Sequence, residues 1–176
     1  MRLQILLCVS LASVTATPAR TRPLIPSHPK VAHYEVHQGQ WRLEIARDTF
    51  SDEVACRLQS RNKRMIYRAG AVGFHFNRSW NVKRAAYRLD GGAPASFRDD
   101  RPQLAALGVP MDRGGPDNAS DGIVWIPYDR LADAKSVAIE ARPGHAARRF
   151  RLDGLVALYA IAEQQGCTPD NHFVER

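Results

Sequence analysis

The chain has 176 residues, of which 44% are hydrophobic and 24% charged, a composition that indicates one globular domain with a sizeable core. Its formal net charge of +7 suits anionic partners, but an Arg-, Ala- and Pro-rich composition is common where codon usage favours it, and this second interpretation is the stronger one. The arginines are spread along the sequence without an aromatic-interleaved basic stripe, so the pattern predicts no nucleic-acid binding.

The first 16 residues have the anatomy of a secretory signal peptide. Arg2 is followed by a short apolar run and by small residues that end at Ala16. The run is shorter than the ~20 residues that a membrane-spanning helix needs, and no later segment supplies one. We therefore predict an exported protein, periplasmic or extracellular, with cleavage after Ala16 and no transmembrane segment.

Residues 17–38 are predicted to form a Pro-rich flexible leader, because such a stretch buries too little apolar surface to offset its ordering entropy. Its prolines are Pro18, Pro23, Pro26 and Pro29. His33 and His37 have the spacing of metal ligands on a helix, but no third ligand accompanies them, so they are predicted to be solvated. Residues 39–176 are predicted to form a single globular β-rich domain.

Six stretches alternate apolar and polar residues with the period of a β-strand. They are residues 40–47, 54–60, 65–67, 70–76, 83–90 and 136–142. A turn at Pro143 and Gly144 predicts a hairpin from the last of these into a return strand over residues 147–152. Residues 122–127 are almost continuously apolar, which predicts a central strand buried on both faces.

Residues 91–121 are the least regular part of the chain. Residues 104–107 are predicted to form a short helical turn, and Asp99 and Asp100 to be surface charge. Residues 109–122 contain two prolines and three glycines and are predicted to be a contact loop. Its polar residues are Asp112, Arg113, Asp117, Asn118 and Asp121. The carboxylates of Asp112, Asp117 and Asp121 suit calcium, but their spacing does not match the twelve-residue calcium loop, so no metal site is predicted.

One amphipathic helix is predicted near the end of the chain, capped by Asp153 and ended by Gly166. Its apolar stripe consists of Leu155, Leu158, Tyr159 and Ala162. Once the signal peptide is removed, two cysteines remain, Cys56 and Cys167. An even number in an oxidising compartment favours a disulfide, which would fasten the helix end to the strand of Cys56.

These elements predict a mainly β fold: an antiparallel β-sandwich or half-open barrel of seven to nine short strands, with one C-terminal helix packed on the sheet. The sequence contains no serine-nucleophile elbow, zinc-protease motif or phosphate-binding glycine loop. His75 and His145 are the candidate general bases, but no sequence motif pairs either of them with a catalytic acid or nucleophile, so both are predicted to be solvent-exposed polar residues. We therefore predict no enzymatic activity and no cofactor.

Short segments resemble two families of exported bacterial proteins. The residues are Trp41 at the start of a strand, Ala86-Tyr87-Arg88-Leu89-Asp90-Gly91-Gly92, and Phe150-Arg151-Leu152-Asp153-Gly154-Leu155 before a helix that ends at Cys167. This arrangement is similar to small exported proteins associated with type VI secretion, and its ending resembles the invasion-associated locus B family of periplasmic proteins. The resemblance covers residues 41–167. It implies an accessory or binding role and offers no catalytic residues.

The sequence thus predicts a non-enzymatic accessory or binding protein of the bacterial envelope, linked to a secretion system or to host interaction. Its expected partner is a protein or a cell-wall component. The alternative is an inhibitor or immunity protein whose loop blocks an envelope hydrolase. A third hypothesis is a hydrolase that uses the loop carboxylates of Asp112, Asp117 and Asp121.

Overall fold

The computed structural model describes residues 31–111 and 122–167. Within these residues the protein is mainly β: ten strands form two antiparallel sheets, and neither sheet closes into a barrel. The predicted antiparallel β fold is confirmed, and of the two predicted architectures the sandwich is the one observed.

The strands of the first sheet are β1 (Val31–Gln38), β2 (Trp41–Asp48), β3 (Val54–Ser60), β4 (Met65–Arg68), β5 (Ala71–His75) and β8 (Ile123–Pro127). The second sheet contains β6 (Ala86–Leu89), β7 (Pro94–Ser96), β9 (Ser136–Glu140) and β10 (Arg148–Arg151). Their orders are β1-β2-β3-β4-β5-β8 and β10-β9-β6-β7. The described residues also form three helices: α1 (Phe97–Ala106), α2 (Tyr128–Leu131) and α3 (Leu155–Gln164).

The core lies on one face of the six-stranded sheet. Alternate residues of β2 and β3 point into it, and α3 packs over β1, β2 and β3. The four-stranded sheet covers the other half, where the Phe150 ring lies 5.0 Å from Phe74 and 5.8 Å from Phe76, measured between ring centroids. The helix and the second sheet together form the layer that closes the sandwich.

The prediction of a flexible leader is wrong for residues 31–38, which form β1. This strand pairs with all of β2 through a two-residue turn in which Gly39 has φ +55°. Most of its side chains are exposed, so the hydrogen-bonded ladder holds the strand more than burial does. Because β1 buries little apolar surface, the composition of residues 31–38 does not predict this strand. The predicted signal peptide, residues 1–16, and the remainder of the leader lie outside the described residues.

The Cys56–Cys167 disulfide is present and joins β3 to the residue that follows α3. The helix ends as predicted: Gly166 has φ +85°, and its N–H donates to the Glu163 carbonyl while the Cys167 N–H donates to that of Ala162. The start of the helix differs from the prediction. Gly154 occupies the N-cap position with φ +94°, so Asp153 does not cap the helix.

Two further elements differ from their predicted form. The apolar strand β8 is an edge of its sheet, not a central strand, and it is buried because α1 and α2 pack against it. The predicted helical turn at residues 104–107 is the end of the ten-residue helix α1, which begins at a Ser96 side-chain cap. Burial on both faces indicates neighbours, but not whether those neighbours are strands or helices.

Candidate functional site

The predicted contact loop cannot be placed as a site, because its polar residues lie outside the described residues. They are Asp112, Arg113, Asp117, Asn118 and Asp121. The described residue that follows them, Gly122, is fixed beside Phe76, whose N–H donates to the Gly122 carbonyl at 2.9 Å. Phe76 itself belongs to a cluster of aromatic and basic side chains.

We name this cluster the arginine–aromatic patch and define it as Phe76, Trp80, Arg142, His145 and Arg148. The rings of Phe76 and Trp80 are stacked with centroids 6.2 Å apart, and His145 lies 5.4 Å from Trp80. The guanidinium carbon of Arg148 is 5.1 Å from the Phe76 centroid, and that of Arg142 is 5.7 Å from the Trp80 centroid. Both separations are in the range of cation–π contacts.

Two turns hold the patch in place. The Asn77 side chain accepts hydrogen bonds from the N–H and the hydroxyl of Ser79, which shapes the turn that presents Trp80. In the hairpin between β9 and β10, the Glu140 carboxylate accepts a hydrogen bond of 2.6 Å from the Gly144 N–H. Local side-chain hydrogen bonds of this kind fix turn conformation. The patch is therefore built from two constrained turns, one that follows β5 of the six-stranded sheet and one that joins β9 to β10 of the four-stranded sheet.

The patch carries unneutralised positive charge. Arg142, His145 and Arg148 are exposed, whereas Phe76 and Trp80 are half-buried. In the part of the chain that the structure describes, neither Arg142 nor Arg148 forms an ion pair with a carboxylate. Their guanidinium N–H groups can bind a planar anion such as a carboxylate, bidentately where the geometry permits. The sequence pattern does not predict this cluster, because its arginines are dispersed along the chain.

A second polar cluster is buried and connects α1, α2 and the four-stranded sheet. The Asp100 side chain is inaccessible to solvent, and its Oδ2 accepts a 2.7 Å hydrogen bond from the Tyr87 hydroxyl. Its Oδ1 lies 2.9 Å from Arg130 Nη2, an ion pair without the alignment of a hydrogen bond. The prediction that Asp100 is surface charge is therefore wrong.

Burial explains the protonation behaviour of this cluster. It raises the pKa of the Asp100 carboxyl above its usual range, although the Tyr87 hydrogen bond and the Arg130 charge oppose the effect. It also raises the pKa of Tyr87, and the hydrogen bond to Asp100 raises it further. Because solvent does not reach Asp100, we interpret the cluster as a structural connection between the helices and the sheet.

Three tyrosines form another contact, between β4, α2 and α3. The Tyr128 and Tyr159 centroids are 4.3 Å apart, and Tyr67 lies 5.1 Å from Tyr159 and 5.6 Å from Tyr128. Burial raises the pKa of Tyr128 to about 12 and is also the main cause of the raised pKa of Tyr67. These phenols stay neutral at physiological pH, so the cluster acts in packing rather than in acid–base chemistry.

The residues that carry the family resemblance have structural roles in this fold. The Asp90 carboxylate accepts hydrogen bonds from the Lys135 N–H at 3.0 Å and the Ser136 N–H at 2.8 Å, which lower the pKa of Asp90 and tie β6 to β9. A Cβ atom at Gly154 would overlap the carbonyl of Gln38, the last residue of β1. Asp90 and Gly154 therefore connect elements of the fold, and neither is assigned a role in ligand binding.

No known protein family, curated protein or solved structure matches this chain. Across residues 31–111 and 122–167, no group of three or more His, Cys, Asp or Glu side chains is arranged to hold a metal ion. Among the described helices, none has the length and apolar character needed to cross a membrane.

Proposed function

We propose that this protein is an exported, non-enzymatic binding protein of the bacterial envelope, and that the arginine–aromatic patch contacts an acidic surface of a protein partner. One observation supports this assignment above the others: the exposed guanidinium groups of Arg142 and Arg148 lie over aromatic rings without a carboxylate partner in the described chain. Unneutralised, positioned guanidinium groups are complementary to carboxylates.

The aromatic contacts also lower the entropy that binding costs. A free arginine side chain loses rotamer freedom when it is immobilised in an interface, by about 0.5–1.5 kcal/mol for a flexible side chain. Arg142 and Arg148 are already restrained over Trp80 and Phe76. Part of this cost is therefore met in the free protein, and the patch is pre-organised for an anionic partner.

Export is part of the same proposal. The signal-like start of the chain supports it, and the Cys56–Cys167 disulfide is of a kind that persists in oxidising compartments. The resemblance to secretion-associated and invasion-associated proteins favours a partner from a secretion system or from a host surface.

The test compares two double variants with equal loss of charge. Arg142→Ala with Arg148→Ala removes both guanidinium groups of the patch. Arg61→Ala with Arg149→Ala removes two exposed arginines from other positions and serves as the control. Each protein is immobilised and exposed to solubilised envelope proteins at low and at physiological salt, and the recovered proteins are quantified by mass spectrometry. Circular dichroism verifies that all variants are folded.

We expect at least one partner that the native and control proteins recover, that the patch variant loses, and whose binding weakens with salt because the charges are exposed. Equal recovery of every partner by the patch variant contradicts the proposal. A partner that is an envelope hydrolase, inhibited at a one-to-one ratio, supports the alternative of an inhibitor or immunity protein. Binding to anionic vesicles but to no protein contradicts the choice of a protein partner.

A further inference from the structure

The first strand, β1, leaves a row of backbone groups at the edge of the six-stranded sheet. The neighbouring strand β2 shows which groups these are. The Arg61 N–H donates to the carbonyl of Gln40, just before β2, and the N–H of Asp48, at the end of β2, donates to the Glu53 carbonyl, both at 2.9 Å. The even-numbered residues of β2 therefore direct their backbone groups toward β3. The odd-numbered residues of β2 therefore face β1, and by the register they meet its even-numbered residues. The odd-numbered residues of β1 direct their N–H and C=O groups away from the sheet.

This edge lacks the features that usually prevent strands from pairing. Residues 31–38 include no proline and no lysine, and their register with β2 runs over eight pairs without a bulge. The opposite edge of the sheet differs, because β8 ends at Pro127 and both α1 and α2 pack against it. Among the described elements, no strand pairs with the outer side of β1.

We propose that β1 pairs in antiparallel fashion with β1 of a second copy of this chain, with Tyr34 at the two-fold axis. In this register the residue numbers of each pair add up to 68. The pairs are Val31 with His37, Ala32 with Val36, His33 with Glu35, and Tyr34 with Tyr34. The outward-facing odd-numbered residues meet one another, as an antiparallel ladder requires.

Side-chain chemistry selects this register over the neighbouring register that has Glu35 at the axis. A shift of one residue in each strand places Glu35 opposite Glu35, and like charges directly opposite are destabilising. The proposed register places Glu35 opposite His33 of the second copy, beside the contacts that Glu35 already makes with His37 at 3.0 Å and Arg42 at 3.6 Å.

The core side of the strand supports the same register. Tyr34 is 56% exposed, and few other large apolar side chains among the described residues are so accessible. At the axis it meets its symmetry mate in a pair that is not hydrogen-bonded, where opposite side chains approach most closely. Aromatic cross-strand pairs of this kind stabilise sheets. The pairing therefore covers an apolar ring and satisfies exposed backbone groups at once.

The experiment uses the full exported chain and two variants at His33, of which one lacks the backbone N–H group and the other keeps it. His33→Pro removes an outward donor while every hydrogen bond between β1 and β2 stays available, and edge strands tolerate proline at such a position. His33→Ala removes the same side chain but keeps the donor. The dissociation constant of the dimer is measured by sedimentation across the micromolar range, and the thermal midpoint verifies folding.

We expect a dimer for the native protein and for His33→Ala, and a dissociation constant about 30-fold higher for His33→Pro, because the symmetry removes two hydrogen bonds. A native protein that stays monomeric across the micromolar concentration range overturns the proposal. A His33→Pro protein with the same dissociation constant as His33→Ala overturns it as well.

A cross-linking measurement covers the case in which His33→Pro fails to fold. Tyr34→Cys places two cysteines opposite each other at the axis, so a disulfide-linked dimer is expected on non-reducing gels. Phe50→Cys, at a turn residue that is 92% exposed, is the control and is expected to remain monomeric. Equal cross-linking of the two variants contradicts the register, and capture of a different protein by Tyr34→Cys contradicts the choice of a second copy.

Discussion

Removal of the Cys56–Cys167 disulfide is expected to lower the stability of the domain by several kcal/mol. The cysteines are 111 residues apart, so the closed loop has 112 residues when both are included. The chain-entropy model gives a loss of about 16 cal/mol/K for such a loop, or about 4.8 kcal/mol at 25 °C. Strain and residual structure in the unfolded chain reduce this figure, and we expect a decrease of roughly 3–5 kcal/mol. Domains are stable by only ~5–15 kcal/mol, so the bridge supplies a large share.

The variant for this test is Cys56→Ala with Cys167→Ala. Alanine is preferable to serine, because both cysteines are 1% exposed and a buried hydroxyl would need a new hydrogen-bond partner. Urea unfolding gives the free energy of unfolding of the oxidised protein, the reduced protein and the variant. Reductant is expected to lower the stability of the native protein to that of the variant and to leave the variant unchanged.

A difference below ~1 kcal/mol between the oxidised protein and the variant would show that the loop-closure reasoning does not apply to this chain. The arginine–aromatic patch provides a second readout. It lies on the β9–β10 hairpin and beside β5, away from the bridge between β3 and the end of α3. A folded variant is therefore expected to keep the partner binding of the native protein, and selective loss of binding would place the disulfide in the binding site.

Three further predictions follow from buried or constrained groups. Gly154→Ala is expected to lower the free energy of unfolding by roughly 3 kcal/mol or more, because it combines a positive φ with overlap of the Gln38 carbonyl. Gly144→Ala, at φ +78° with open space around it, should lower it by about 1–2 kcal/mol. Equal decreases in urea unfolding would refute the packing argument. Asp100→Ala should lower the free energy of unfolding by about 2 kcal/mol, because the buried Tyr87 hydroxyl loses its hydrogen-bond acceptor. Asp100→Asn keeps an acceptor and should lower it by less in the same assay. The free energy of unfolding should fall as pH rises above ~10, where the tyrosines of the unfolded chain ionise, and should continue to fall through about pH 12, the raised pKa of Tyr128. Tyrosinate absorbance and an unfolding curve measured at each pH test this. A free energy of unfolding that does not change over that range would contradict it.

The sequence predicted the elements whose burial follows a simple period. Trp41 and Cys56 lie on core faces because alternate residues of β2 and β3 point inward, and α3 lays its stripe on the sheet as its spacing predicts. The disulfide followed from the number of cysteines and the expected compartment. These predictions depend on local periodicity or on a count, and neither requires knowledge of which elements become neighbours.

The features that the sequence does not predict depend on neighbours that are distant along the chain. Asp100 is buried because Tyr87 and Arg130 reach it from another strand and another helix. The patch combines residues from the segment after β5 with residues of the β9–β10 hairpin, more than sixty positions away. A pattern along the chain gives the face on which a side chain lies, but it does not show which faces meet.

The two proposed surfaces are compatible, and together they predict stronger binding to repetitive partners. Phe76 follows β5, four strands from β1 in the sheet order, which is about 19 Å at the usual strand spacing. A dimer formed through β1 therefore leaves both patches accessible. Because exposed ion pairs contribute ~1 kcal/mol or less each, one patch alone binds weakly, whereas two linked patches gain from effective concentration. His33→Pro should accordingly keep its affinity for a partner in solution but dissociate faster from a densely immobilised one, and equal dissociation of the His33→Pro and His33→Ala proteins would show that the two surfaces act independently.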